Sequence, residues 1–250
     1  MNIRGAVDKY DRKTSTYIVA YIDLLGVAPR MKKSAVNQME SLNKLYNLYK
    51  GLIDVADEEK GIKIYENIKF RIFSDNIIIA KELSSDKQER ERDILSLFFC
   101  VSSFAHSAIG DGVGWLLRGG ITIGDFFIND VIVWGSALLR AYELESTIAN
   151  YPRIVIDTSV ISEFDSYKKP PYFIMTDVDG VSYLNYMNTW HFAGEIVKNG
   201  FEKMKAEARN SDGSYPDKVL QKLVWHMNYI NRELDKKEEH KDKKYRLTLN

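Results

Sequence analysis

Apolar residues along this chain follow two rhythms, and the switches between them mark its elements. Tyr17-Ile-Val-Ala-Tyr-Ile22 is a continuous β-branched and aromatic run that ends at Asp23-Leu-Leu-Gly26, a buried strand leaving into a turn. Between 34 and 56, Val36, Met39, Leu42, Leu45, Tyr49, Leu52 and Ile53 step mostly by threes and fours. That spacing predicts one face of a long helix, with Ser34 as its N-cap. Residues 62–65 and 68–80 read as strands on either side of a tight turn at Glu66-Asn67. A second amphipathic helix covers about 89–109 and stops at Gly110-Asp-Gly112. Then come a strand over 115–123, a hairpin through 126–134, a third helix over 136–149 and a short strand over 153–156.

Strand, helix, two strands, helix, strand pair, helix, strand is the order of a split βαβ, ferredoxin-like α+β fold. It implies a mostly antiparallel sheet with helices covering one side. The open face then calls for a cover, such as a second copy of the chain. Beyond 157 the pattern changes to a short helix (160–166), a small hairpin (172–175 with 180–186) and two helices (190–209 and 216–234). The expected organisation is a core over 1–157 and a C-terminal hairpin and helical extension over 158–250 packed on it. The mixed-charge stretch 232–244 reads as a solvated helix end.

Composition narrows the function classes. Lys+Arg and Asp+Glu are balanced at 35 each, so nothing points to a nonspecific nucleic-acid binder. No run approaches membrane-spanning length and the first residues carry no apolar targeting core, so a soluble cytoplasmic protein is expected. The single Cys100 lies in an apolar stretch and reads as a core residue. His106, His191, His226 and His240 make no zinc-type spacing, and no Walker-type loop is present.

Chemistry concentrates at two aspartates. Asp23 and Asp75 each stand at the tip of an apolar run, in strands able to pair side by side. A carboxylate beside buried strands must be paired, hydrogen-bonded or metal-bound, so the two together point to one or two shared divalent ions. Gly26 takes the chain out of the strand; its turn either offers backbone N–H groups to phosphate or is a turn and nothing more. Lys69, Arg71, Phe73 and Asp75 alternate onto one face. Arg71 there either hydrogen-bonds a base edge or phosphate, or pairs with a carboxylate such as Glu66.

The motifs resemble the class III nucleotidyl cyclase family over about 17–157. The carriers are Tyr21-Ile-Asp23-Leu-Leu-Gly26, Ser74-Asp75 in a hairpin, the glycine strand Arg118-Gly-Gly-Ile-Thr-Ile-Gly124, and the helix with Gly135, Ala141 and Glu145. Aligned on these, the family's ribose-binding Asn falls on Leu139 and its phosphate-binding Arg on Glu143. Ser136 and Arg140 keep the same spacing one turn earlier, so the pair is expected to be moved there. Arg71 takes the place of a base-reading Lys. Tyr21-Ile-Asp23, Phe73-Ser-Asp-Asn76 and Arg118-Gly-Gly-Ile121 are most similar to the pyrimidine cyclases of antiphage defence, the Pycsar type.

That resemblance implies a homodimer with active sites at the interface and two Mn2+ or Mg2+ ions per site. Asp23, Asp75 and the backbone carbonyl of Leu24 would be the metal ligands. The reaction implied is UTP to cyclic UMP and pyrophosphate, the messenger acting on a downstream effector. Tyr65 or Phe73 would narrow the pocket for a pyrimidine. The alternatives are cyclic CMP from CTP, or a catalytically inactive cyclase fold used as a nucleotide sensor or dimerisation module.

Overall fold

In the computed structural model of the protein, the described residues are 13–27, 35–55, 66–110, 112–164, 172–188, 194–236 and 244–249. The expected strand at 62–65, and Tyr65 with it, lie outside them. The architecture is α+β, and its element order through residue 156 follows the sequence pattern. The strands are β1 (Ser15–Leu24), β2 (Ile68–Phe73), β3 (Asn76–Glu82), β4 (Leu117–Ile128), β5 (Val133–Trp134), β6 (Ile154–Ile156), β7 (Ile174–Thr176) and β8 (Ser182–Leu184). The helices are α1 (Ala35–Val55), α2 (Lys87–Ile109), α3 (Ser136–Glu143), α4 (Thr158–Ile161), α5 (Gly194–Ala208) and α6 (Asp217–Asp235).

One sheet runs in the order β2-β3-β1-β4-β6-β8-β7, with β5 folded back on β4. Only β4 and β6 pair in parallel; the other described pairings are antiparallel. β1 is central, hydrogen-bonded to β3 on one side and β4 on the other. That position explains its unbroken apolar run, because a strand paired on both edges and covered on both faces has no solvent side. Ile18, Ala20, Ile22 and Leu24 face the main core with α1, α2, α5 and α6. Tyr17 and Val19 alternate to the other face, where they meet Ala137 and Ala141 of α3.

So the second face is not bare. α3 covers part of it, and two glycines of β4, Gly120 and Gly124, lie beneath the helix. A Cβ at Gly120 would overlap the Ala141 carbonyl and come 2.5 Å from Leu144 Cβ, and one at Gly124 would touch Ala137. The C-terminal hairpin extends the same sheet through the β6–β8 pairing. Buried Arg153 holds it, with ion pairs of 2.9 Å to Asp177 and 2.6 Å to Asp179.

Two elements depart from the periodic reading. The stretch 68–80 is a hairpin rather than one strand, because Ser74 adopts φ +57° and turns the chain at Ser74-Asp75. The third helix stays α-helical only to Glu143 and continues as a π-helical turn, Leu144–Ile148. Apolar spacing does not distinguish a wide turn from an α-turn, and such turns collect at functional sites. No described helix is long and apolar enough to cross a membrane.

Candidate active site

The end of β1 and the β2–β3 turn bring the two aspartates to one corner of the sheet. Asp23 sits opposite Asn76 of β3 and opposite Arg118 of β4. Leu24 N–H donates to the Asp75 carbonyl at 3.0 Å, which ties the strand end to the turn. Tyr49 of α1 supports that turn from below, its hydroxyl 3.4 Å from the Ser74 carbonyl. Asp75 accepts from Asn76 Nδ2 at 3.3 Å.

Burial pushes the Asp23 carboxyl above its usual range; Arg118 opposes this and the negative charge of Asp75 reinforces it. Like charges held this near are costly unless a cation joins them. The donor set fits a hard divalent ion. It is all oxygen, two carboxylates and the nearby Leu24 carbonyl, and Mg2+ is typically held by one or two carboxylates with substrate phosphates completing the shell. Among the described residues no group of three or more His, Cys, Asp or Glu side chains converges as a full protein cage.

Arg118 is the resident cation. Its Nε donates to Asp23 Oδ2 at 3.2 Å and stands 2.6 Å from Glu145 Oε1. Glu145 comes from the π-helical turn and its side chain is only 4% exposed. Burial raises its pKa, with Arg118 pulling the other way. Tyr21, one strand step before Asp23, has its phenol pushed up to about 12, first by burial and then by Glu145 and Asp23. The hydroxyl therefore stays a donor.

Arg71 and Phe73 line a groove of about 480 Å³ with Tyr21, Asn76, Leu139 and Tyr142. Arg71 donates to the Asn129 carbonyl (2.7 Å), the Phe70 carbonyl (2.6 Å) and Asp130 (3.1 Å). Its ion-pair partner is thus Asp130 and not Glu66. Among the described residues three of the five guanidinium N–H groups find a partner, and the other two face none there. Gly26 has φ +85°, so the turn itself demands a glycine.

The other expected site residues lie apart. Arg140 is clamped on Asp157, Nε to Oδ2 at 3.0 Å and a terminal nitrogen to Oδ1 at 3.1 Å, with Glu143 at 2.8 Å. Asp157 also accepts from Thr122, four residues along β4 from Arg118, roughly 13 Å away. Ser136 opens α3 beside Gly124. Within one chain the fold brings together Asp23, Leu24, Asp75, Arg118 and Glu145, and leaves Arg140 and Ser136 on a neighbouring stretch.

Sequence reasoning passed over Arg118 and Glu145 as charges at the site. It also had no means to find Lys222 of α6. That side chain is partly buried, and burial lowers its pKa, with Arg118 lowering it further and Asp23 raising it. The helix is set in place by Trp225, which donates to Asp177 at 2.7 Å and stacks on Tyr151.

No protein-family model matches this chain, and neither does any curated protein. Solved structures do resemble it loosely. One is the monomeric guanylyl cyclase domain of the RhoGC fusion protein from the aquatic fungus Blastocladiella emersonii, 15% identical over 69% of this chain and 95% of that one, with a TM-score of 0.44. A second is the catalytic core of a rhodopsin-guanylyl cyclase with converted specificity in complex with ATPαS, 15% identical over 69% and 96%, TM-score 0.42. A third is the adenylate/guanylate cyclase/hydrolase from Silicibacter pomeroyi, 17% identical over 69% and 95%, TM-score 0.38. At this distance the functional reading rests on the site's own residues.

Proposed function

We propose that the protein is a nucleotidyl cyclase, acting on a pyrimidine nucleoside triphosphate and preferring UTP. The observation that carries this is the pairing of Asp23 with Asp75 at one sheet corner, beside a groove that offers an arginine and aromatic rings. Asp23, Asp75 and the Leu24 carbonyl would hold Mn2+ or Mg2+, up to two ions. Such ions lower the pKa of a bound hydroxyl and neutralise charge on phosphate oxygens.

The reaction forms a bond from the ribose 3′-oxygen to the α-phosphorus and breaks the bond from that phosphorus to the oxygen leading to the β-phosphate. The 3′-hydroxyl proton passes to solvent, and pyrophosphate leaves with the electron pair. Positioning and charge complementarity carry most of the rate in such a displacement, so no dedicated protein base is required. Arg71 would give its two remaining N–H groups to uracil carbonyl oxygens, and Phe73 and Tyr142 would supply ring faces. Lys222 would meet the polyphosphate.

A homodimer with its sites at the interface agrees with the groove's rim. Phe73 is 82% exposed and Leu139 71%, far more than isolated side chains of this kind need be. In that assembly Arg140 would serve developing phosphate charge, and Ser136 the ribose, across the interface. The Pycsar resemblance makes cyclic UMP a signal in antiphage defence, and CTP the second substrate to test. The clamp on Arg140 favours a second reading, a cyclase fold that binds nucleotide without turning it over.

One assay decides among these. The full chain is incubated with Mn2+ and, separately, ATP, GTP, CTP and UTP, and products are resolved by chromatography. Cyclic UMP is expected, and its loss in Asp23→Ala and Asp75→Ala while the fold is kept. A cyclic purine product overturns the pyrimidine assignment, and nucleotide binding with no product from any tube overturns the enzyme.

A further inference from the structure

Arg118 stands between two carboxylates, and both cannot keep it once Asp23 takes up a divalent cation. We propose that Arg118 and Glu145 form an exchange pair that sets the cation affinity of Asp23 and Asp75. The guanidinium neutralises Asp23 in the unloaded site and passes wholly to Glu145 as the cation arrives. This rests on the metal-binding role proposed for Asp23 and Asp75.

The geometry is that of a shared cation caught between partners. The hydrogen bond to Asp23 is 3.2 Å, long for a charge-assisted contact. Glu145 Oε1 is nearer, at 2.6 Å, yet it is buried and accepts no hydrogen bond from the described residues, because Nε–H is directed at Asp23. A buried carboxylate oxygen without a donor is an unmet acceptor. A small rotation of the guanidinium, with release of Asp23, satisfies it.

The direction of exchange follows from charge. A dication at Asp23 repels the guanidinium beside it, and the repulsion is strong in a partly buried site. Glu145 gives Arg118 a destination whose desolvation cost was met on folding. The fold holds Glu145 there on purpose-built backbone: it rides on the π-helical turn, and that turn seats against β4 only because residue 120 has no side chain. A Cβ at Gly120 would come 3.2 Å from Glu145 N as well as overlapping Ala141.

The test is Mn2+ titration of the full-length protein without nucleotide, with free Mn2+ read by electron paramagnetic resonance and folding checked by circular dichroism. Glu145→Gln leaves Arg118 with Asp23 as its one ion-pair partner among the described residues, so Mn2+ affinity is expected to fall roughly tenfold. The double variant Arg118→Met/Glu145→Gln removes the competing cation and the buried charge together, and is expected to bind Mn2+ at least as tightly as wild type. If Glu145→Gln does not fold, Glu145→Asp, which draws the carboxylate back by one methylene, replaces it with the same expected direction. A plain structural ion pair predicts lower stability with unchanged Mn2+ affinity in folded variants, and that result overturns the exchange. A double variant that binds more weakly than wild type overturns it too. Absence of Mn2+ binding in wild type, or binding unaffected by Asp23→Asn, is a different failure, that of the carboxylate site itself.

Discussion

Lowering the pH from about 7.5 to about 5 is expected to remove about 2 kcal/mol of folding stability through His226 alone. This histidine lies on α6 with no solvent exposure, its ring stacked 5.9 Å from Phe201 and its Nδ1 3.4 Å from the Tyr186 hydroxyl. Burial alone drives its pKa from 6.5 to about 3. Between those values the unfolded chain carries a proton that the folded chain refuses. Stability therefore falls as pH falls, starting near 6.5 and continuing towards 3. At about pH 5 the unfolded imidazole is about 1.5 units past its midpoint, and at about 1.4 kcal/mol per unit the loss is ~2 kcal/mol. The assay is urea unfolding of wild type and His226→Gln at both pH values. Other titrating groups change both proteins alike, so the difference between their pH losses isolates the histidine. Equal losses in the two proteins would refute the reasoning. Because α6 also carries Lys222, partial undocking of this helix in acid should weaken nucleotide binding before the core unfolds.

Three further outcomes follow from the geometry. Gly120→Ala should cost about 1–3 kcal/mol by overpacking against Ala141 and Leu144, and should lower turnover by shifting Glu145; thermal melts and a product assay at a temperature where the variant is folded check both. Arg140→Ala should cost about 1–2 kcal/mol by unclamping Asp157, and in its proposed role should cut product formation far beyond that loss of fold. Turnover equal to wild type in folded protein would assign Arg140 to the clamp alone. Lys222→Met should raise KM for the triphosphate with kcat little changed, and an unaltered KM removes that side chain from the polyphosphate.

Much of this molecule can be read without its structure, and the divide is physical. The apolar run of β1, the helical period of α1 and α2, and the tip positions of Asp23 and Asp75 are local patterns, so residue order alone determined them. The same holds for the glycines of β4, although only packing shows that they admit α3. On α1, though, Tyr49 and Leu52 of the expected face are buried, while Met39, Leu42 and Ile53 stay exposed. Other features depend on which segments become neighbours. Arg118 meets Glu145 because β4 and the π-helical turn stack, across 27 residues of chain whose spacing carries no sign of the contact. Arg140 is drawn to Asp157 for the same kind of reason. Periodicity alone missed the turn at Ser74-Asp75, because an apolar hairpin and a single strand share one period; the family motif placed it in a hairpin, where it lies. Lys222 comes within electrostatic range of Asp23 and Arg118 only through the docking of α6, set by Trp225 and a sheet built from residues far away. Periodicity reports which side of an element is buried; it carries nothing about what lies on the other side of the interface, and the charges that tune this site are there.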